Sequence, residues 1–181
     1  MTDETPASRL GDDPGEPARN LLTAEEIRAA AQAFSHPWNE NSRIIGTHLS
    51  GLTGLRRAGV SLVRVPAGRE SFCYHVHHRE EEWVYVLAGT GTADIGGEEH
   101  PIGPGDFLAF HAGGAAHQIR NTGGQDLVYL MGGEHCDHEI VDFPALGRRM
   151  VRVGDEVESY DRADARPFGS EARSTRRKDR S

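Results

Sequence analysis

Three histidines and one glutamate stand out for chemistry in this sequence: His75 and His77 two apart, Glu82 five residues on, and His117 far downstream. Alternate side chains of an extended strand share a face, so His75 and His77 project together while Val76 points away. Two imidazoles then occupy one wall of a cavity. The polar run His78-Arg79-Glu80-Glu81 reads as a turn, after which an antiparallel strand brings an acid back beside the histidines. Glu80, Glu81 and Glu82 stand in a row. An inward Glu82 takes Val84 and Val86 with it and leaves Trp83 and Tyr85 outside, whereas an inward Glu81 reverses this. Both sets are apolar, so alternation alone leaves the choice open. His117 is placed to supply a fourth donor from a distant strand that barrel closure brings alongside. Imidazole and carboxylate together suit one divalent ion of the borderline group, Fe, Mn, Ni, Co or Zn. Four protein ligands leave an octahedral ion two positions for water, dioxygen or substrate.

Other reactive types cluster around this set. Cys73 shares the parity of His75 and His77 and is expected to line the same cavity beneath them, as a small core residue or a substrate-facing thiol. His111 is expected near the mouth, as a candidate substrate contact. His78, adjacent to His77, is expected to face solvent. His135-Cys136-Asp137-His138 reads as a polar loop after a strand end rather than a second ligand set. Tyr74, Trp83 and Tyr85 read as packing on the outer or dimer-facing surface. Trp38 and Asn39 precede the barrel and either cross its mouth or reach a partner; Arg56 and Arg57 begin a strand at its exposed end.

Positioning these residues falls to short strands. The chain holds 22 Gly and 9 Pro in 181 residues, an excess of turn formers that suits many short strands better than long helices. Thr23 with Glu26 three residues later is a capping box, and Ile27, Ala30, Ala31 and Phe34 recur at helical spacing, which predicts a helix over 23–34. From Arg43 the pattern changes to runs of Val, Ile, Leu, Tyr and Phe between Gly, Pro and Asp. Strands are predicted at 43–49, 57–65, 71–77, 81–88, 91–95, 98–102, 106–110, 116–121, 126–132 and 139–143. Gly96-Gly97 marks a two-residue hairpin turn, and Gly103-Pro104-Gly105-Asp106 a second sharp turn. Their even spacing predicts an all-β barrel or sandwich. The chain divides into a disordered acidic tail (1–21), an N-terminal helix and arm (22–42), a barrel (43–155) and a polar, basic C-terminal tail (156–181).

Here the spacing resembles a known family. Gly68, the His75/His77 pair, Glu82 after a four-residue gap and Gly89 after six more resemble the first motif of the cupin superfamily, with one extra residue between Gly68 and His75. Gly105, Gly113, His117 and Asn121 resemble the second. Two positions depart: His111 stands where that motif usually has Pro, and His117 sits one residue later relative to Gly113. The resemblance covers roughly residues 55–133 and is closest to compact single-domain cupins. It implies a double-stranded β-helix, jelly-roll-like barrel, a metal held by His75, His77, Glu82 and His117, and commonly a homodimer. Family spacing also favours Glu82 over Glu81.

Charge and composition narrow the partners. A formal charge of -8 and an acidic balance would repel nucleic acid and anionic lipid, and no stretch approaches the ~20 apolar residues of a membrane span. The amino terminus lacks the basic start and apolar run of a signal peptide, and two cysteines make no disulfide framework, so a cytoplasmic setting with reduced thiols is expected. The function expected is that of a small metalloenzyme acting on an oxygen-bearing organic molecule. Oxidation by dioxygen is placed ahead of isomerase or lyase chemistry by family analogy. The alternative is a non-catalytic module that binds or senses a small molecule or metal.

Overall fold

The computed structural model describes residues 19–169. The predicted 1–21 tail therefore lies mostly outside the described residues, as do residues 170–181 of the predicted C-terminal tail. Among the described residues thirteen strands fold into three sheets. The largest runs β1 (Gln32–Phe34), β2 (Ile44–His48), β3 (Ala58–Val65), β10 (Leu127–Glu134), β5 (Glu82–Ala88), β8 (Phe107–Phe110). A second runs β13 (Glu156–Asp161), β12 (Arg148–Val153), β11 (His138–Phe143), β4 (Val76–His77), and a third β7 (Glu98–Ile102), β6 (Gly91–Ile95), β9 (His117–Arg120). The expected all-β jelly-roll is thus present.

Alternation along the strands builds the core. Val84 and Val86 of β5, Val63 and Val65 of β3, and Leu127 and Tyr129 of β10 turn inward and are almost fully buried, whereas Tyr85 and Leu87 are exposed. That parity resolves the Glu81/Glu82 ambiguity: Glu82 shares the inward face with Val84 and Val86. Trp83 lies on the outer face, stacked on Phe107 with 6.3 Å between centroids. Gly132, opposite Trp83 in the β10/β5 register, makes room for the indole, since a Cβ there would lie 2.4 Å from Trp83 Cζ2. The β6/β7 hairpin turns at Gly96-Gly97, with φ of 65° and 87°, a pair of conformations open to glycine without a Cβ clash.

Four elements differ from expectation. The helix α1 covers only Ala24–Ala29, with the Thr23/Glu26 capping box intact; Gln32–Phe34 instead forms β1, paired with β2, and Phe34 packs against Phe72. Long-range pairing and burial outweigh the helical spacing there. A short helix, α2 (Leu49–Thr53), follows β2. The predicted strand 71–77 is reduced to Val76–His77 plus a bridge between His75 and His117. Finally, Arg148–Val153 and Glu156–Asp161 form the β12/β13 hairpin, so the start of the expected tail is a strand of the second sheet. Every residue of β13 is exposed, so it carries no apolar alternation by which sequence could reveal it.

Candidate metal centre

The four predicted donors arrive from all three sheets. His77 ends β4, Glu82 opens β5 and His117 opens β9, while His75 is tied to His117 by two backbone hydrogen bonds, N to O at 3.1 Å and 2.8 Å. Their side chains converge on a point. Glu82 Oε2 lies 3.6 Å from His75 Nε2, 3.4 Å from His77 Nε2 and 3.3 Å from His117 Nε2. The donor atoms of His75, His77 and Glu82 all lie within 4.8 Å of one another. Three imidazole nitrogens facing one carboxylate oxygen is the donor set of a borderline divalent cation.

Local contacts aim these rings. The Nδ1 of His75 is 2.7 Å from the Cys73 carbonyl, which directs Nε2 at Glu82. Phe110 lies flat on His117, 3.5 Å between centroids and 2° between planes, and holds that ring from one side. Burial pushes the His77 and His117 imidazoles below the ordinary histidine range, so both favour the neutral, metal-binding form. Burial would raise the Glu82 carboxyl, but contacts from His117 and His75 and the field of His77 outweigh it and hold the group well below the usual carboxylate range. A charged carboxylate among neutral imidazoles fits a dication.

Beside the cluster is a half-open space of about 30 Å³, room for roughly two water molecules. Ser71, Phe72, Phe110, Gln118, Tyr129 and Met131 line it together with His75, Glu82 and His117. No Lys or Arg is among the lining residues. Tyr129 is 1% exposed, and burial pushes its phenol above the ordinary range, so it remains a hydrogen-bond donor. Sequence reasoning missed Tyr129, although its parity with Leu127 and Met131 marks it as inward.

Cys73 and His111 do not join this lining. Cys73 is buried, but its Sγ is 3.2 Å from His36 Nδ1, inside a small second core with Val141, Phe143 and Trp38. The parity argument fails for Cys73 because residues 71–74 are not in a strand. Burial, with the field of Glu70, raises its thiol above the ordinary range, which marks it as inert. The His111 side chain is 80% exposed and pairs at 3.6 Å with Glu81 on the surface. His78 is exposed, as expected, and its Nε2 reaches Asp142 at 2.9 Å. Trp38 folds inward onto Phe143, 5.0 Å between centroids, beneath Arg148.

Comparison with known proteins agrees with this geometry. Residues 61–133 match the cupin domain family. A solved structure described as a putative sugar phosphate isomerase from Acidithiobacillus ferrooxidans is 40% identical, with a TM-score of 0.78, over 82% of this chain and 96% of that one. The chain belongs to the cupin superfamily. A second cupin structure, described as a sugar phosphate isomerase from Silicibacter pomeroyi, shares the fold at 24% identity and a TM-score of 0.68, covering 78% of this chain and 90% of that one. An oxalate-binding protein of Thermotoga maritima is 38% identical over 68 residues, 38% of this chain; the match spans about half (54%) of that relative's length. Among the described residues of this cupin no helix is long and apolar enough to cross a membrane.

Proposed function

We propose that this cupin is a metal-dependent enzyme acting on a small, oxygen-rich organic molecule, with isomerisation of a hydroxy-carbonyl compound as the reaction best supported. The observation that carries the reading is the convergence of three imidazole nitrogens on one Glu82 oxygen, beside a space lined by uncharged side chains apart from the donors. A divalent ion held there by His75, His77, Glu82 and His117 would supply Lewis acidity toward substrate oxygens. The chain's own residues do the rest. Phe110, Phe72 and Met131 exclude water and limit the inner part of the substrate to a few atoms, while Tyr129 and Gln118 offer polar contacts. Similarity to a structure described as a putative sugar phosphate isomerase supports the choice of isomerisation over oxidation by dioxygen, which the family analogy had favoured.

A specific observation supports a second reading, a module that binds without turnover. Apart from the donors, Tyr129 is the lone titratable side chain lining the space, and its phenol stays protonated. No further proton acceptor is supplied there. The oxalate-binding relative fits such a role. To separate the readings, untagged protein is purified, its metal content measured, and sugar phosphates and dicarboxylates are offered with oxygen uptake recorded. Conversion without oxygen uptake supports the isomerase; oxygen consumption replaces it with oxidation. Tight binding without product supports the module, and failure to retain any of the five ions removes the metal reading altogether.

A further inference from the structure

Behind His77, on the side away from Glu82, two more carboxylates are buried. Glu80 and Glu139 are 6% and 1% exposed, and their Oε2 and Oε1 atoms stand 3.8 Å and 3.9 Å from His77 Nδ1. That nitrogen is enclosed and has no hydrogen-bond partner among the described residues. Each of the other two rings is aimed by a neighbour, His75 by the Cys73 carbonyl and His117 by Phe110. His117 Nδ1 likewise has no hydrogen-bond partner among the described residues, but that ring is held flat by Phe110, whereas the groups facing His77 Nδ1 are the two carboxylates.

The two acids are differently engaged. Glu139 is saturated by backbone donors: Oε1 accepts from the amides of His78 at 2.9 Å, Arg79 at 3.3 Å and Ile140 at 2.8 Å, and Oε2 from that of Glu80 at 2.8 Å. It therefore organises the 78–80 turn and has little capacity left for an ion of its own. Glu80 Oε1 accepts from the Cys136 amide at 2.7 Å and from the Arg152 guanidinium of β12. Its Oε2 accepts from nothing among the described residues, and Oε2 is the oxygen that faces His77.

We propose that Glu80 is a positioning residue of the metal centre, whose Oε2 accepts the His77 Nδ1–H and so keeps the Nε2 lone pair directed at Glu82 and the ion. The assignment rests on the metal reading above. Closing 3.8 Å to the ~2.8 Å of a charge-assisted hydrogen bond takes about 1 Å of side-chain movement. A carboxylate behind a ligating imidazole fixes its tautomer and raises its basicity. Charge agrees as well. The carboxylates Glu80, Glu82 and Glu139 set against the one guanidinium of Arg152 leave two formal negative charges, the complement of a dication. Arg152 thereby connects β12, from the hairpin that sequence did not reveal, to the metal centre through Glu80.

The test uses full-length protein loaded with zinc and labelled with ¹⁵N. Wild type is expected to show a His77 Nδ1–H protected from exchange with water and shifted downfield by its carboxylate acceptor. Glu80→Gln, which presents an amide in place of that acceptor, should lose the signal and weaken zinc binding by about 10- to 100-fold; Glu80→Asp should recover part of both. Zinc affinity within about twofold of wild type in a folded Glu80→Gln protein would overturn the proposal. So would a wild-type Nδ1–H that exchanges as fast as that of an exposed imidazole, a measurement that stands even where the variant fails to fold. A wild-type protein that takes up no metal sinks the metal reading instead, and is told apart by that fact.

Discussion

If the donors come from three sheets, ion binding must cross-link the barrel, and its removal must appear as lost stability. The perturbation is chelation followed by titration with each candidate ion. His77 belongs to the β4 sheet, Glu82 to the β5 sheet and His117 to the β9 sheet, and these are joined around the site by few backbone hydrogen bonds. An ion that binds only the folded chain stabilises it by ~2.7 kcal/mol at a hundred times its dissociation constant. A domain of this size gains about 2–4 °C in melting temperature per kcal/mol, so the expected rise is about 5–11 °C. His117→Ala removes the sole donor from the β9 sheet. A tenfold loss of affinity would cut the stabilisation at the same ion concentration by ~1.4 kcal/mol, or about 3–6 °C. The truncation also opens a gap beneath Phe110 and lowers the melting temperature with or without metal, so the quantity to compare is the metal-dependent difference within each protein. Differential scanning calorimetry reads it directly. A wild-type rise below about 1 °C with every ion, or an undiminished rise in His117→Ala, would refute the cross-link.

Two further outcomes are expected. Burial, and then the field of His75, pushes the His36 imidazole down to about 4, so folding favours its neutral form; the stabilisation is complete above the unfolded histidine value of ~6.5 and is lost as pH falls toward the folded value. The metal-free melting temperature should therefore drop between about pH 6.5 and 4, and less so in His36→Gln; an equal drop in both would show that His36 plays no part. At Gly132 an added Cβ would lie 2.4 Å from Trp83 Cζ2 and 3.0 Å from the Gly59 carbonyl, so Gly132→Ala must displace the indole from Phe107 and should cost ~1–3 kcal/mol in urea unfolding, with a changed tryptophan emission. A cost of a few tenths of a kcal/mol or less would mean the outer face is more yielding than its packing indicates.

Local pattern was legible wherever burial repeats with strand period. The β6/β7 hairpin follows from Gly96-Gly97 between alternating runs, whereas in β5 alternation fixed only that one of two apolar sets faces inward, and the structure buries Val84 and Val86. That His75, His77 and Glu82 could meet was legible because they lie within eight residues and their types suit one ion. Where one face of an element gains nothing from burial, as in β13, the pattern vanishes although the backbone pairs fully. Local parity misled at Cys73, since a segment held by a single bridge has no obligation to alternate.

What residue order could settle was chemistry at short range: which side chains can ligate, where the chain turns, which strands are half-buried. What it could not settle was long-range register. Whether Glu81 or Glu82 faces inward, that Glu80 and Glu139, some sixty residues apart, meet behind His77, and that Arg152 neutralises one of them all depend on strands paired across the barrel. A strand's own sequence fixes its period of two but carries no record of which neighbour it will face, because that choice is made by the burial and hydrogen bonding of the whole sheet.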